Sequence, residues 1–225
     1  MQPLFFIHIP KTAGTSLRAA LEPALGERLV RAYPPGNRIA LKDGQVLFGH
    51  YSFGVHKRAD CEPNYATVLR DPVSRVCSWY SFMRETNHPL SETARSQSLG
   101  EMVNGKNPQL NNHMTSIISG MPVKLDGMAA LDAAKEHLSR FAFVTTDEDL
   151  QTDLPLLGNL LCAKLARLPH RNKSSRLVID DKQLQIVHDA NLLDLELYEF
   201  AMAVAKERRP RPKTFRLMPF ARHRS

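Results

Sequence analysis

The sequence predicts an α/β fold, a single P-loop-like domain with a central, mostly parallel sheet of about five strands flanked by helices. Three observations predict it. Short apolar runs alternate with longer stretches of helical periodicity. The first run, residues 4–9, is apolar almost throughout, which is typical of a strand buried on both faces of a parallel sheet. The length of 225 residues, with 43% hydrophobic residues, fits one domain with a sizeable core.

The strands follow from apolar runs bounded by turn residues. Phe and Ile dominate the first run, the second ends at Pro34-Pro35-Gly36, and the third follows the turn at Asp43-Gly44. The fourth reads YATVLR and the fifth begins at Phe141. The predicted strands are residues 4–9, 29–33, 45–50, 65–70 and 141–145.

The helices follow from apolar residues three and four apart and from their start signals. Leu17, Leu21 and Leu25 share one face of the first helix. Asp71 suits the N-cap and Pro72 the first position of the next. Residues 86–108 are polar and broken by prolines, so we expect a mobile excursion with little core there. The predicted helices are residues 15–25, a helix from 72, and 109–119, 128–139, 149–167 and 181–206.

The charge divides the chain into a domain, residues 1–205, and a basic C-terminal tail, residues 206–225. The net charge is +7, and the tail alone has eight Lys or Arg against one acidic residue, Glu207. We therefore expect no nucleic-acid partner for the domain. A solvated tail is the usual interpretation, and a tail that attracts an anionic acceptor is the alternative.

Cysteine spacing and hydropathy exclude several classes of protein. The three cysteines are far apart, so we expect neither a zinc site nor a disulfide framework, and no metal. No run approaches the roughly 18 apolar residues of a membrane span, and residues 4–9 do not have the pattern of a signal peptide. We therefore expect a cytoplasmic protein; the sequence leaves its oligomeric state open.

The segment FFIHIPKTAGTS, residues 5–16, predicts a phosphate site. A buried strand, a tight loop and a helix N-terminus present unpaired N–H groups to an anion. Lys11 adds a full charge, and Gly14 lets the backbone approach the ligand. The loop hydroxyls are those of Thr12, Thr15 and Ser16. The Walker A pattern is absent, and no later strand ends in the Asp that would hold Mg²⁺, which disfavours a magnesium-dependent nucleoside triphosphatase.

A second anion site is predicted in TVLRDPVSRVCSWYSFM. Arg70 ends a strand, and Ser74 and Ser78 lie on one face of the following helix. An Arg fork and a hydroxyl suit a terminal phosphate. A salt bridge from Arg70 to Asp71 or another acid is the alternative interpretation.

His50 is the candidate general base. It closes a strand in FGHYSF, at the end where open α/β sheets place their ligands. An imidazole titrates near neutral pH and can accept a hydroxyl proton. A structural or merely orienting histidine is the alternative.

These motifs resemble the sulfotransferases that use 3′-phosphoadenosine 5′-phosphosulfate (PAPS), and are most similar to the branch of heparan sulfate 2-O-sulfotransferase and its bacterial relatives. The resemblance implies that His50 is the base and that Arg70 and Ser78 hold the 3′-phosphate. It implies that Lys11 and the loop hold the 5′-phosphate and the sulfuryl group. The loop residues are Thr12, Ala13, Gly14, Thr15 and Ser16. Phe48 stands where that branch has a second histidine, so acceptor contacts are expected to differ.

Two further segments carry weaker similarity. NHMTSIISG resembles a stretch of the bacterial members, which makes Asn112 and Thr115 candidate substrate-binding residues. RNKSS resembles the late loop that closes over the nucleotide, which makes Lys173 and Ser174 candidate PAPS contacts; a solvated basic turn is the alternative.

The resemblance predicts in-line transfer of a sulfuryl group from PAPS to a hydroxyl acceptor, a glycan or another hydroxyl compound, without a metal. His50 would remove the acceptor proton, and Lys11 would stabilise charge on the leaving 3′-phosphoadenosine 5′-phosphate. Two alternatives remain open. One is a P-loop-like nucleotide kinase, and the other is a catalytically silent nucleotide-binding protein.

Overall fold

A five-stranded, all-parallel sheet forms the centre of the molecule. The computed structural model describes residues 2–31, 38–59, 61–169 and 177–210. The strands are β1 (Leu4–Ile7), β2 (Leu29–Val30), β3 (Val46–Gly49), β4 (Tyr65–Leu69) and β5 (Phe143–Thr146). Their order in the sheet is β2-β3-β1-β4-β5, with every neighbouring pair parallel. The predicted α/β fold is confirmed.

Helices cover both faces of this sheet. The helices of the first half of the chain are α1 (Gly14–Leu25), α2 (His56–Ala59), α3 (Pro72–Glu85), α4 (Ser91–Ser96) and α5 (Leu99–Asn104). Those of the second half are α6 (His113–Ser119), α7 (Gly127–Arg140), α8 (Leu150–Leu160), α9 (Asp181–Asp189) and α10 (Leu192–Arg208).

Alternation along the strands builds two cores. Leu4 and Phe6 of β1 face one way and pack with residues of α1 and α8. Phe5 and Ile7 face the other way and pack with residues of α6, α7 and α10. Because both faces are covered, β1 is buried throughout, as its continuous apolar run predicts.

The strand order brings the ends of β1, β3, β4 and β5 to one edge of the sheet. β1 lies in the middle, between β3 and β4. The chain therefore turns to opposite sides of β1 before and after β3, which is the arrangement that leaves a ligand crevice at the carboxyl edge of an open sheet.

Residues 86–108 fold more extensively than the sequence predicts. They form α4 and α5, whose residues join α3 and Val187 in a third apolar core. Ser98 and Glu101 make a capping box at the start of α5. The expectation of a mobile excursion was wrong, because two short helices bury a few apolar residues each against α3 rather than one long stripe.

Two other helix boundaries differ from the predictions. The single helix predicted over 181–206 is two helices, and the buried Asn191 between them donates to the carbonyls of Leu110 and Val187. α8 ends at Leu160 rather than at residue 167, and Cys162 just beyond it has a left-handed backbone, φ 46°.

The last helix continues past residue 205, where the sequence predicts the end of the domain. α10 continues to Arg208, whose guanidinium donates to the carbonyls of Phe141 and Ser139. Arg209 binds the buried Asp153 through two hydrogen bonds of 2.7 and 2.8 Å. Arg208 and Arg209, at the start of the predicted tail, are thus anchored to the domain, and residues 211–225 lie outside the described residues. Across the described ranges, no helix has the length and hydropathy needed to traverse a bilayer.

Candidate active site

The loop after β1, residues 9–16, is the segment in which the sequence predicts a phosphate site, and we call it the phosphate loop. Lys11 and Ala13 both have left-handed φ values, 73° and 61°. The buried Thr12 between them donates its hydroxyl to the carbonyl of Ile9, 2.9 Å away. No described side chain caps the first turn of α1. The N–H groups at a helix N-terminus lack partners within the helix, so an anion in this loop could accept hydrogen bonds from them.

Gly14 is the residue at which this loop comes close to the side chain of His8. A Cβ atom built on Gly14 would lie 1.7 Å from Nε2 of His8. The His8 ring thus occupies the space that any side chain at position 14 would need. The glycine at the start of α1 is required by this contact rather than by its φ angle.

Arg70 joins the end of β4 to the phosphate loop. Its Nη1 donates to the carbonyl of Lys11 at 3.1 Å, and its Nε lies 3.1 Å from the carboxylate of Asp147. Arg70 does form a salt bridge, as the alternative interpretation of the sequence expects, and its partner is Asp147 rather than Asp71. The ion pair and the loop contact coexist, so the guanidinium is held at the edge of the sheet rather than withdrawn from it.

The charges at this edge perturb one another. Burial, and then the nearby Arg70, lower the pKa of Lys11. Burial raises the pKa of Asp147 to about 6, against the opposing attraction of Arg70. Glu85 acts against the shift at Lys11, so the cations of this edge have acidic neighbours besides Asp147.

One face of α3 turns toward the phosphate loop. Nζ of Lys11 lies 4.2 Å from the ring centroid of Phe82. Ser78 lies one turn before Phe82 on the same face and is half-buried. Asp71 caps the helix by accepting from the N–H of Ser74 at 2.7 Å. The helix therefore directs Ser78 toward the same side as Lys11.

His50 lies at the end of β3, next to the phosphate loop. Its Nδ1 is 2.7 Å from the carbonyl oxygen of His8, and the rings of the two histidines stack with centroids 4.4 Å apart. A carbonyl only accepts, so Nδ1 must carry the proton. The neutral ring then has its lone pair on Nε2, which is the form that a general base requires.

Several predicted residues thus meet at one edge, and others do not. Lys11, Arg70 and His50 are all within contact of the loop or of its neighbour His8. Thr15 is exposed, and Ala13 and Ser16 are half-buried. Lys173 and Ser174 lie outside the described residues.

Asn112 and Thr115 belong to a polar network between α6 and α10, which we call the helix junction. The hydroxyl and the N–H of Thr115 both donate to Asp194, at 2.8 and 2.7 Å, and Thr115 is fully buried. Oδ1 of Asn112 accepts from the N–H groups of Leu193 and Asp194. Both side chains therefore have a structural task, and their predicted contact with an acceptor stays a prediction.

Three residues of the site were not predicted: His8, Asp147 and Phe82. A register that pairs Phe6 with Phe48 would have brought residue 8 next to residue 50, but register is not readable from two apolar runs. Asp147 directly follows β5 and could have been found from its place at the carboxyl edge of the sheet. Within the part of the chain that the structure describes, no cluster of His, Cys, Asp and Glu has the composition of a metal site.

The comparisons with known proteins agree with the motifs. No protein-family model matches the chain. It is 25% identical to a curated chicken (Gallus gallus) protein, heparan-sulfate 6-O-sulfotransferase 2, in an alignment that covers 88% of the chain. The chain is related to the sulfotransferases. The chain spans 65% of the length of the chicken protein. The chicken protein is named a 6-O- and not a 2-O-sulfotransferase, so the predicted branch within the family stays a prediction.

The chain also aligns with a solved structure, that of mouse sulfotransferase SULT7A1 in complex with PAP. The TM-score is 0.45 at 12% identity, covering 87% of the chain and 64% of the mouse protein. This likeness is too distant to carry an argument about the site.

Proposed function

We propose that the chain is a sulfotransferase that transfers the sulfuryl group of PAPS to a hydroxyl acceptor, with His50 as the general base. One observation carries the proposal. The hydrogen bond of 3.1 Å from Arg70 Nη1 to the carbonyl of Lys11 brings together the two segments that the sequence predicts to bind anions, 59 residues apart. A ligand with two separated phosphates suits such a site better than a single phosphate does.

The donor side of the proposed site consists of the phosphate loop and the start of α3. The left-handed backbone at Lys11 and Ala13, and the uncapped first turn of α1, fit a 5′-phosphosulfate group. Arg70 and Ser78, on the neighbouring strand end and helix, would hold the 3′-phosphate through a charge-assisted fork and a hydroxyl. Nε of Arg70 lies against Asp147 and Nη1 donates to the carbonyl of Lys11, so Nη2 would be the nitrogen that meets the 3′-phosphate.

The acceptor side of the proposed site is His50. Nε2, which lacks a proton in the tautomer set by the His8 carbonyl, would accept the proton of the acceptor hydroxyl. The hydroxyl oxygen would form its bond to sulfur while the bond from sulfur to the bridging phosphate oxygen breaks. That bridging oxygen takes the electron pair, and Lys11 with the N–H groups of α1 would stabilise the charge that develops on it.

The acceptor class follows from the relative only as part of this proposal. The name of the chicken protein specifies heparan sulfate, and we extend to this chain only a hydroxyl acceptor such as a glycan. The chain spans 65% of that relative, so its own acceptor must be found by experiment. The cytoplasmic location stays a prediction.

Calorimetric titration with 3′-phosphoadenosine 5′-phosphate (PAP) against ATP with Mg²⁺ tests the donor side. We expect PAP to bind and ATP to bind at least about tenfold more weakly. Arg70→Ala should weaken PAP about 100-fold, because a charge-assisted fork contributes about 3 kcal/mol. The control is Arg140→Ala, an exposed Arg of α7 that should leave binding unchanged. Tighter binding of ATP would favour the kinase alternative, and unchanged PAP affinity in Arg70→Ala would remove the 3′-phosphate assignment.

Sulfate transfer tests the acceptor side and the silent alternative. The protein is incubated with ³⁵S-labelled PAPS and an extract of its source organism, and the labelled product is isolated. With that product's acceptor, His50→Ala should lower kcat by about 10² to 10⁴-fold and leave PAP binding within about threefold. A His50→Ala protein with full turnover would overturn the base assignment. PAP binding without any transfer would favour the silent nucleotide-binding protein.

A further inference from the structure

We propose that His8 is a positioning residue that holds the imidazole of His50 in the tautomer and ring plane of a general base. The proposal rests on the proposed role of His50. It concerns a residue that the sequence motifs did not single out, and it comes from four features of the fold.

The first feature is the register of β1 and β3. Phe6 pairs with Phe48 and Ile7 pairs with Gly49, and the N–H of His8 donates to the carbonyl of Gly49 at 2.8 Å. The ladder therefore continues to the next residues, which are His8 and His50. Side chains at paired positions of neighbouring strands lie on the same face of the sheet. The two imidazoles are thus neighbours because of the pairing of two central strands.

The second feature is the packing of the His8 ring. Its faces stack on Phe48, at 5.1 Å between centroids, and on His50, at 4.4 Å. Its edge fills the space above Gly14, where a Cβ would be 1.7 Å from Nε2. The ring of His8 is therefore fixed on three sides, and it offers the His50 ring a rigid surface.

The third feature is the carbonyl of His8. It accepts the Nδ1–H of His50 at 2.7 Å, which leaves the lone pair on Nε2. This hydrogen bond requires the His50 ring to lie in one plane, and the stacked His8 ring favours that plane. One residue thus contributes two constraints, a main-chain acceptor and a side-chain surface, to the same imidazole.

The fourth feature is charge. Burial, and then the nearby His50, Arg18 and Lys11, lower the pKa of His8 to about 3. The His8 ring is therefore neutral at neutral pH. When His50 takes up the acceptor proton, the imidazolium that forms lies against a neutral aromatic face rather than against a second cation.

The matched variants His8→Phe and His8→Leu distinguish the effect of an aromatic ring at position 8 from the effect of side-chain volume there. Phe keeps an aromatic face without ring nitrogens, and Leu fills similar space without that face; both keep the backbone carbonyl. Tautomers of His50 are read from ¹⁵N chemical shifts at pH 8 in the full chain, with His50→Ala used to assign the signals. We expect the Nδ1–H tautomer in the wild type and in His8→Phe, and a mixture of tautomers in His8→Leu.

Kinetics provide the second readout. With the labelled-product acceptor, kcat should fall about 10 to 100-fold in His8→Leu and less than about fivefold in His8→Phe, while PAP affinity stays within about threefold in both. A single Nδ1–H tautomer in His8→Leu, or an equal loss of kcat in the two variants, would overturn the proposal. The tautomer measurement needs no turnover, so it can fail or succeed independently of the proposed function.

Discussion

Polar side chains are used in opposite ways at the carboxyl edge of the sheet and at the helix junction. At the edge, Lys11 and Arg70 are half-buried cations near one another, with Asp147 paired to Arg70 and Glu85 acting on Lys11. At the junction, Asp194 and Thr115 are fully buried and bonded to each other and to main-chain groups. The edge thus keeps hydrogen-bonding capacity for a ligand, whereas the junction uses its capacity to join two helices.

This difference explains why similar motif matches have different outcomes. A buried polar group must be paired within the protein, because an unpaired one costs about 1 to 3 kcal/mol. Thr115 meets that requirement through Asp194 and has no exposed surface. The phosphate loop meets it only in part, since the N–H groups of the first turn of α1 have no side-chain cap among the described residues.

The largest expected effect on activity is that of Gly14→Ala, which should disrupt the carboxyl edge of the sheet and leave the helix junction intact. Gly14→Ala places a Cβ on the ring of His8, which displaces the loop, His8 and its neighbour His50 together. We expect kcat/KM to fall at least about 100-fold, since small displacements of catalytic groups cost that much. Steady-state kinetics with labelled PAPS measure it.

Gly105→Ala is the matched control for Gly14→Ala. It lies at the end of α5 with a negative φ, and its Cβ would meet only carbonyl oxygens at 3.4 Å. Its activity should stay within about threefold of the wild type. Near-normal activity of Gly14→Ala would mean that the loop tolerates the displacement of His8.

The next variant should disrupt the helix junction and leave the carboxyl edge of the sheet intact. Asp194→Ala removes the acceptor of three donors, the N–H of Met114 and the N–H and hydroxyl of Thr115, and removes the countercharge of the buried Arg75. We expect the free energy of unfolding to fall by about 3 to 5 kcal/mol. Urea denaturation followed by circular dichroism measures it.

Asp132→Ala, at an exposed position of α7, is the control for Asp194→Ala and should change stability by less than about 0.5 kcal/mol. A loss below about 1 kcal/mol in Asp194→Ala would show that the junction contributes little to stability. The helix junction and the carboxyl edge would then differ in the burial of their polar side chains but not in their contribution to stability.

A third variant tests whether the anchored part of the tail behaves like the junction. Arg209 makes two hydrogen bonds to Asp153, which is buried and also accepts from Thr145. Arg209→Ala leaves that carboxylate without its cation, so we expect a loss of about 2 kcal/mol in the same denaturation measurement. Lys206→Ala, also basic but exposed, should be neutral. Equal stability of the two variants would place the domain boundary before Arg209.

The sequence predicts the strands and the main anion-binding residues because these depend on local patterns. Five apolar runs predict five strands, and the phosphate loop is visible from one glycine, one lysine and three hydroxyls. His8 and Asp147 depend instead on which strands are neighbours and in which register, information that no single segment carries. Asn112 and Thr115 were matched by pattern alone, and their burial depends on Asp194, about 80 residues later in the chain.

The smallest expected effect is on the pH dependence of stability when Asp147, at the carboxyl edge of the sheet, is replaced by Asn. The pKa of Asp147 is raised to about 6 from 3.8, so between these values the folded protein holds a proton that the unfolded chain has lost. The free energy of unfolding therefore rises as the pH falls through 6. Relative to Asp147→Asn, the wild type should gain about 1 kcal/mol on going from pH 8 to pH 5.

His8 and His113, whose pKa values are both lowered to about 3, change stability in the opposite direction over the same range, because they become protonated in the unfolded chain but stay neutral in the folded protein. Both histidines are present in the wild type and in Asp147→Asn, so the difference between the two chains isolates the carboxyl. A pH-independent difference would mean that Asp147 stays ionised beside Arg70. The attraction of Arg70 would then outweigh the effect of burial on the carboxyl of Asp147.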